Sequence, residues 1–345
     1  MAYTTIDKPT DYFETVLYTG TENSNTISVG FEPDFTWIKR RNSARDHQLF
    51  NSITGANTVL SSNLTSAEEG TGAGGWTPNS DGFVVHQHVK TNSDGDTYVG
   101  WNWKAETAFS NDASSTSVGT IDSTGSVNTD AGFSIVSYTG TGSAGTVKHG
   151  LSTTPSMIMH KRRDAESGWP TWHTSLGTNI VELNETGASQ GGSSYTNSTA
   201  PTSSVFSIGT SGDINADGGT FIAYCFAEKQ GYSKFSNYTG NGNVNGTFVY
   251  TGFKPAFVMV KNSGAAENWI IFDNKRPGRN LTDALLKPNT DTEETTTGVK
   301  FDLLSNGFKA RVSDAEGNSS DDNFIYMAFA ENPFVTSTGV PATAR

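Results

Sequence analysis

Apolar residues in this chain come in short bursts that end at Pro, Gly, Asn or Asp. Segments such as Phe257-Val258-Met259-Val260-Lys261 and Phe324-Ile325-Tyr326-Met327-Ala328-Phe329 are β-branched or aromatic and of strand length. No a/d heptad or 3.6-residue apolar period is sustained, so the pattern predicts an all-β chain with little helix. Alternation places Val99, Trp101 and Trp103 on one face of a strand, with Ile222, Tyr224, Phe226 and Ile325, Met327, Phe329 in matching places. These side chains are the predicted core. Burying each contributes about 1.5–3 kcal/mol, while ordering the backbone costs about 1–2 kcal/mol per residue, so a strand needs a covering layer. A second sheet over that face, as in a β-sandwich, is the expected arrangement. Asp94-Gly95, Asp217-Gly218 and Asp321-Asp322-Asn323 supply turn chemistry before the last strands.

Aligned against itself, the chain shows one pattern three times. Tyr18-Thr19-Gly20, Tyr138-Thr139-Gly140 and Tyr238-Thr239-Gly240 open the copies. Gly30-Phe31, Gly150-Leu151 and Gly252-Phe253 follow, then Pro33, Pro155 and Pro255, and six positions after each proline stand Lys39, Lys161 and Lys261. Phe50, Trp172 and Phe272 lie eleven residues beyond, and Phe83, Phe206 and Phe308 precede Tyr98, Phe221 and Phe324 at the far end. The expected organisation is three tandem β-sandwich-like repeats of about 95–100 residues. They cover 12–106, 132–229 and 230–334, with an N-terminal segment 1–11 and a C-terminal tail 335–345. The Ser/Thr/Asn/Asp/Gly-rich stretch within 107–131 has few apolar residues and reads as a linker.

Composition narrows the function classes. The net charge of −12 argues against nucleic acid or an anionic membrane as partner, because both need concentrated Lys and Arg. Lys39-Arg40-Arg41 and Lys161-Arg162-Arg163 each follow an apolar strand and read as solvated strand ends. No apolar run approaches the roughly 20 residues of a membrane span, so no membrane insertion is expected. The opening Met1–Pro9 lacks a signal pattern, which predicts synthesis in the cytoplasm of the producing cell. Lone Cys225, inside an apolar run, reads as a buried thiol.

No catalytic constellation emerges, and no cofactor is expected. Gly70–Gly75 lacks the strand, lysine and helix of a phosphate cradle and reads as a flexible loop. His86 and His88 share one face of a predicted strand but lack a third ligand, so no metal is assigned. The Asp-rich turns are open to Ca²⁺ or to ordinary turn chemistry. A carboxylate pair facing a sugar is not visible in sequence. Asn63-Leu64-Thr65 matters as a glycosylation triplet only in a secreted eukaryotic protein.

Aromatics that repeat in register, Phe50, Trp172, Phe272, Trp169 and Trp269, read as framework. Trp76 and Tyr195 do not repeat, and each lies in a divergent polar segment where recognition loops are usually placed. They are candidates for glycan binding, with Asn79, Asp81 and Asn197 as hydrogen-bonding neighbours. The competing reading is that both rings cap the sandwich.

Several segments resemble a family of virion proteins of tailed bacteriophages, marine and cyanobacterial phages especially. They are Gly132-Phe133-Ser134-Ile135-Val136-Ser137-Tyr138-Thr139-Gly140, Ala223-Tyr224-Cys225-Phe226-Ala227-Glu228, Phe248-Val249-Tyr250-Thr251-Gly252-Phe253-Lys254-Pro255 and Ile325-Tyr326-Met327-Ala328-Phe329-Ala330-Glu331-Asn332-Pro333-Phe334. The resemblance covers nearly the whole chain and implies a non-enzymatic tail-fibre or appendage component, located in the virion, that contributes to attachment at a host-surface glycan. It implies other virion proteins and host polysaccharide as partners and brings no catalytic residues with it. The chain has no coiled-coil or collagen-like shaft, which keeps a capsid decoration or adaptor open, with a glycan depolymerase third. The apolar outer faces of the last strands, Phe221, Ala223, Cys225 and Phe324, Tyr326, Ala328, require a cover. Either a neighbouring repeat or a homo-oligomer, a homotrimer by the fibre resemblance, would supply it.

Overall fold

Each repeat builds an antiparallel four-stranded sheet in which its last strand lies second. In the first, the order is Phe13–Thr19, Thr97–Trp103, Phe35–Arg40, Gln48–Asn51. The same order recurs as Phe133–Thr139, Thr220–Phe226, Met157–Arg162, Pro170–His173 within the second sheet. It recurs again as Ser233–Thr239, Asn323–Pro333, Phe253–Asn262, Trp269–Asp273. A smaller sheet covers one face of each: Asn25–Ser28, Gly82–Val85 and Trp76–Asn79; Gly145–Lys148 with Val205–Ile208; and Phe248–Tyr250, Gly307–Ala310 and Phe301–Leu304. The computed structural model describes residues 3–71, 75–276 and 280–341, and within them helix is confined to single turns such as Ala113–Thr116 and Gly212–Asn215. The fold is all-β, with three tandem sandwich-like units.

The landmarks now have physical reasons. Tyr18, Tyr138 and Tyr238 stack on Tyr98, Phe221 and Phe324 at 5.1, 5.3 and 5.0 Å and donate their hydroxyls to the carbonyls of Thr91, Ile214 and Gly317. The glycine two residues on lies so close to the neighbouring turn that a Cβ would stand 2.0–2.2 Å from the carbonyl oxygens of Ser93, Ala216 and Ser319, which only Gly avoids. A buried asparagine, unnoticed in the sequence, stands six positions before each stacking partner (98−92, 221−215, 324−318). Asn215 accepts from the Thr141 N–H at 2.8 Å and donates to the carbonyls of Ser143 and Gly209 at 2.7 Å. Asn92 and Asn318 do the same for their loops.

The predicted core side chains are all buried, at 2% exposure or less, but what covers them differs from the expectation. The small sheet of each repeat packs on the opposite face of the last strand, over Tyr98, over Phe221, Ala223 and Cys225, and over Phe324, Tyr326 and Ala328. That gives three separate sandwich cores, so the faces expected to need a partner are covered within the repeats themselves. The other faces, with Val99, Trp101, Trp103, Ile222, Tyr224, Phe226, Ile325, Met327 and Phe329, turn toward one another and merge into a single fourth core. At its centre Trp103, Phe226 and Phe329, one per repeat, meet edge to face. Their centroids are 6.1, 6.0 and 5.6 Å apart and their interplanar angles 67, 63 and 72°. The repeats thus close around a pseudo-threefold axis inside one chain.

The stretch read as a linker is instead structural. Thr107–Asn111 and Ser123–Asn128 form a hairpin whose second strand pairs along Phe133–Thr139, extending the second sheet to seven strands. Small Ser and Gly residues fit there because both edges of Ser123–Asn128 are hydrogen-bonded, while Ile121 and Val127 enter the sandwich core and Phe109 packs against it. The terminal segments also pack: Ile6 joins the central core and the Ser337 N–H donates to Asp7 at 2.6 Å. The last residues of the tail, 342–345, and residues 72–74 of the Gly-rich loop lie outside the described residues.

Two outcomes are expected. Phe329→Ala should lower unfolding free energy by about 3–5 kcal/mol while chemical denaturation stays a single transition, since the ring packs on both other repeats; two transitions would show independent units. Asn215→Ala, which strands buried loop groups, should cost about 1–3 kcal/mol in the same measurement.

Candidate binding surface

Many of the chemically capable side chains are engaged in holding the repeats together. Buried Lys161 donates to the carbonyl of Thr65 in the first repeat (2.9 Å), Lys261 to Thr186 in the second (3.0 Å), and Lys39 to Asp291 in the third (3.3 Å). Eight positions after each lysine a ring repeats the gesture. Trp169 donates to the Ser61 carbonyl at 3.0 Å, Trp269 to the Glu182 carbonyl at 2.9 Å, and His47 takes the tryptophan's place 3.0 Å from the Lys287 carbonyl. Trp37, which can only donate, bonds His47 Nδ1 at 2.8 Å, so the histidine proton sits on Nε2 and faces Lys287. Arg163–Glu68 and Arg41–Glu294 pairs at 2.7 and 2.8 Å reinforce two of the interfaces. In the other direction, Asn51 donates to the Tyr224 hydroxyl, His173 lies 3.1 Å from the Tyr326 carbonyl, and Asp273 accepts from Trp101 at 3.0 Å.

Burial sets the electrostatics of these groups. It pushes all three lysines down to about 8 and His149, His160 and His173 down to about 4. Cys225 is buried, and burial pushes its thiol up, away from thiolate chemistry.

The sequence-predicted site residues do not form one surface. Trp76 is 1% exposed, stacked on Phe50 at 5.9 Å in the first sandwich core. Its face is closed to a sugar, and the capping reading is the correct one. Its polar segment is a strand, Trp76–Asn79, whose alternate side chains point outward. Asn79 and Asp81 build the following turn: Asn79 Oδ1 accepts from the Asp81 N–H at 3.0 Å, and the Asp81 carbonyl accepts from Val29 and Gly30. In the second repeat Tyr195 is half-buried against the sandwich core, and exposed Asn197 ends the turn Ser193–Thr196 in the left-handed region. Burial, then the carboxylates of Glu182 and Asp213, raise the Tyr195 phenol. His86 and His88 follow the strand Gly82–Val85 rather than sit in it, and no cluster of three metal-ligating side chains occurs among the described residues.

A different aromatic pair faces solvent. Phe248 and Tyr250 are 45% and 54% exposed on the outer face of the third repeat's small sheet. Lys309 stands opposite Phe248 across the ladder, and Asp302 opposite Lys309. Tyr250 faces Gly307, which lets the Phe248 ring lie close over the backbone; a Cβ there would be 3.2 Å from it. Counting from the glycines at 30, 150 and 252, the same outward positions hold Thr26 and Ser28 in the first repeat and Thr146 and Lys148 in the second. That replacement of polar by aromatic residues was legible in the sequence from the register, had strand faces been compared across repeats.

A family model spans residues 8–333, both sandwich layers of every repeat and the intervening hairpin. The chain belongs to the family described as a domain of unknown function, DUF7483. Since the match crosses all three repeats, the DUF7483 unit is the whole pseudo-threefold assembly rather than a single sandwich. No curated protein matches this chain.

Glu182 gives a pH test of this interior. Burial first, then Asp213 and Glu185, raise its carboxyl from 4.5 to about 8, and its Oε2 has no hydrogen-bond partner. Between those values the folded protein holds a proton the unfolded chain releases, so this group's contribution to stability is lost as pH rises. Glu182→Gln should therefore gain in Tm relative to the parent from pH 5 to pH 9; a pH-independent difference would place the carboxylate in water.

Proposed function

We propose that this protein is a non-catalytic structural component of a tailed-phage particle, an appendage or tail-fibre unit that contributes to attachment at a bacterial surface glycan. The motif resemblance supports the virion setting, and the outward pair Phe248 and Tyr250 on a rigid sheet carries the binding role. Aromatic faces pack against the C–H face of a pyranose while neighbouring polar groups hydrogen-bond its hydroxyls, and Lys309 and Asp302 lie within the same ladder. The two rings expose roughly 200 Å² between them, judged from 150–250 Å² per aromatic side chain. A standard protein interface takes about 800 Å² per partner, so the patch suits a short saccharide segment better. The threefold core is complete within one chain, so this reading requires no homotrimer.

Immunogold labelling of virions with an antibody to this protein should mark the tail or its appendages. Label on the capsid would favour a decoration protein, and absence from virions would remove the setting altogether. Phe248→Thr with Tyr250→Ser, the residues of the first repeat, should weaken binding to host cells and purified surface polysaccharide about tenfold or more, about 1.4 kcal/mol, at unchanged Tm. Release of reducing sugars would instead identify a depolymerase.

A further inference from the structure

The side of each sandwich next to its first strand is finished differently in the three repeats. In the second, the segment 120–128 fills it. Ser123–Asn128 pairs with Phe133–Thr139, Thr120 and Ile121 donate N–H to the Thr146 carbonyl at 2.8 and 3.1 Å, and Ser123 donates its hydroxyl to the Lys148 carbonyl. Ile121 and Val127 enter the core, and Phe109 of the same hairpin lies against Gly150, 3.0 Å from where a Cβ would stand. In the third repeat the N-terminal segment reaches the equivalent glycine: Tyr3 donates to the Gly252 carbonyl at 2.8 Å. In the first, nothing lies within 4 Å of that point on Gly30, although its φ of +93° matches the +80° and +82° of the other two.

An open groove of about 730 Å³ runs there, lined by Glu14–Tyr18 and Thr26–Gly30, with Lys275 at one side. These positions are the counterparts of 134–138 and 146–150, offset by 120 at both landmarks (138−18 and 150−30), which are the residues that hold the hairpin in the second repeat. Phe13–Thr19 is the edge of its sheet, and Leu17, Thr26 and Ser28 are exposed along the groove. An uncovered edge next to a groove lined by both polar and apolar side chains, Val16, Ile27 and Val29 among the latter, is a template for strand addition.

We propose that this groove is a strand-acceptor site for an extended segment of another protein. The segment pairs antiparallel with Phe13–Thr19, carries small polar residues like those of Ser123–Asn128, and places two aliphatic side chains six positions apart, as Ile121 and Val127 are, into the slot beside Val16, Ile27 and Val29. The chain's own hairpin, seated on the equivalent surface, defines that chemistry. This inference is independent of the virion reading, since a strand donor can come from any partner.

The test uses the full chain and, as probe, a labelled synthetic peptide of residues 107–130. Anisotropy should show saturable binding of one peptide per chain, and hydrogen exchange should show new protection at residues 13–19. A peptide with Ile121→Asp and Val127→Asp should bind at least about tenfold more weakly, the 1.4 kcal/mol equivalent, and a Val16→Arg chain that keeps its Tm should do likewise with the parent peptide. Absence of binding at millimolar peptide, equal binding of the Asp-substituted peptide, or protection confined to 133–139 through exchange with the resident hairpin would each overturn the proposal. So would concentration-dependent dimerisation without peptide that protects 13–19, which would assign the groove to a second copy.

Discussion

The structure depends on three aromatic rings that no single repeat can bury. Trp103, Phe226 and Phe329 each project from the sheet face opposite their own sandwich core, and a sheet exposing Trp101 and Trp103, or Tyr224 and Phe226, to water would forfeit several kcal/mol of burial. Edge-to-face contact satisfies all three at once and fixes their angles, because the positive edge of each ring meets the negative face of the next. The last strands are consequently buried on both faces. This is why those of the second and third repeats, Phe221–Phe226 and Phe324–Ala330, read as unbroken apolar runs, a pattern more familiar from parallel sheets than from antiparallel ones.

Polar contacts then give the assembly its direction. Each repeat sends a lysine and a ring back to the carbonyls of the preceding repeat, and a residue from its fourth strand forward to the last strand of the next. Buried carbonyls need donors, and an apolar core cannot provide them. The lysines supply them at a desolvation penalty visible in their lowered pKa values. The third interface adds a chain of charge that runs from half-buried to buried: Arg41 and Arg276 share Glu294, and Arg276 also pairs with Asp273, which accepts from Trp101.

Much of this was legible in the sequence, and the failures have identifiable causes. Register revealed the copies because Tyr, Gly and Lys at fixed spacing answer to a stack, a close backbone approach and an interface donor, constraints that recur with the fold. Alternation identified the inward residues but not their cover; period two separates two faces and is silent on which faces another sheet of the same repeat and which a different repeat. The hairpin at 107–128 escaped notice because a strand hydrogen-bonded on both edges needs few apolar side chains. Trp76 was misplaced for a related reason: its neighbours are polar because they point outward, while the ring points in. Phe248 and Tyr250 were hidden by the family-like segment that contains them, where they looked like ordinary strand residues.

The closure of the ring of repeats has a consequence for biosynthesis. Arg41 and its partner Glu294 are 253 positions apart, and His47 and Lys39 likewise wait for Lys287 and Asp291. At about 5–20 residues per second, a ribosome needs roughly ten to fifty seconds to synthesise the chain between those two partners. Until the second repeat follows, Trp101 and Trp103 have no neighbouring repeat to pack on, so the nascent first sandwich carries an exposed aromatic face. Folding of this chain is therefore not vectorial. Its first domain is completed only together with the third, and in the meantime a chaperone, or the second repeat as it arrives, must shield that face from other nascent chains.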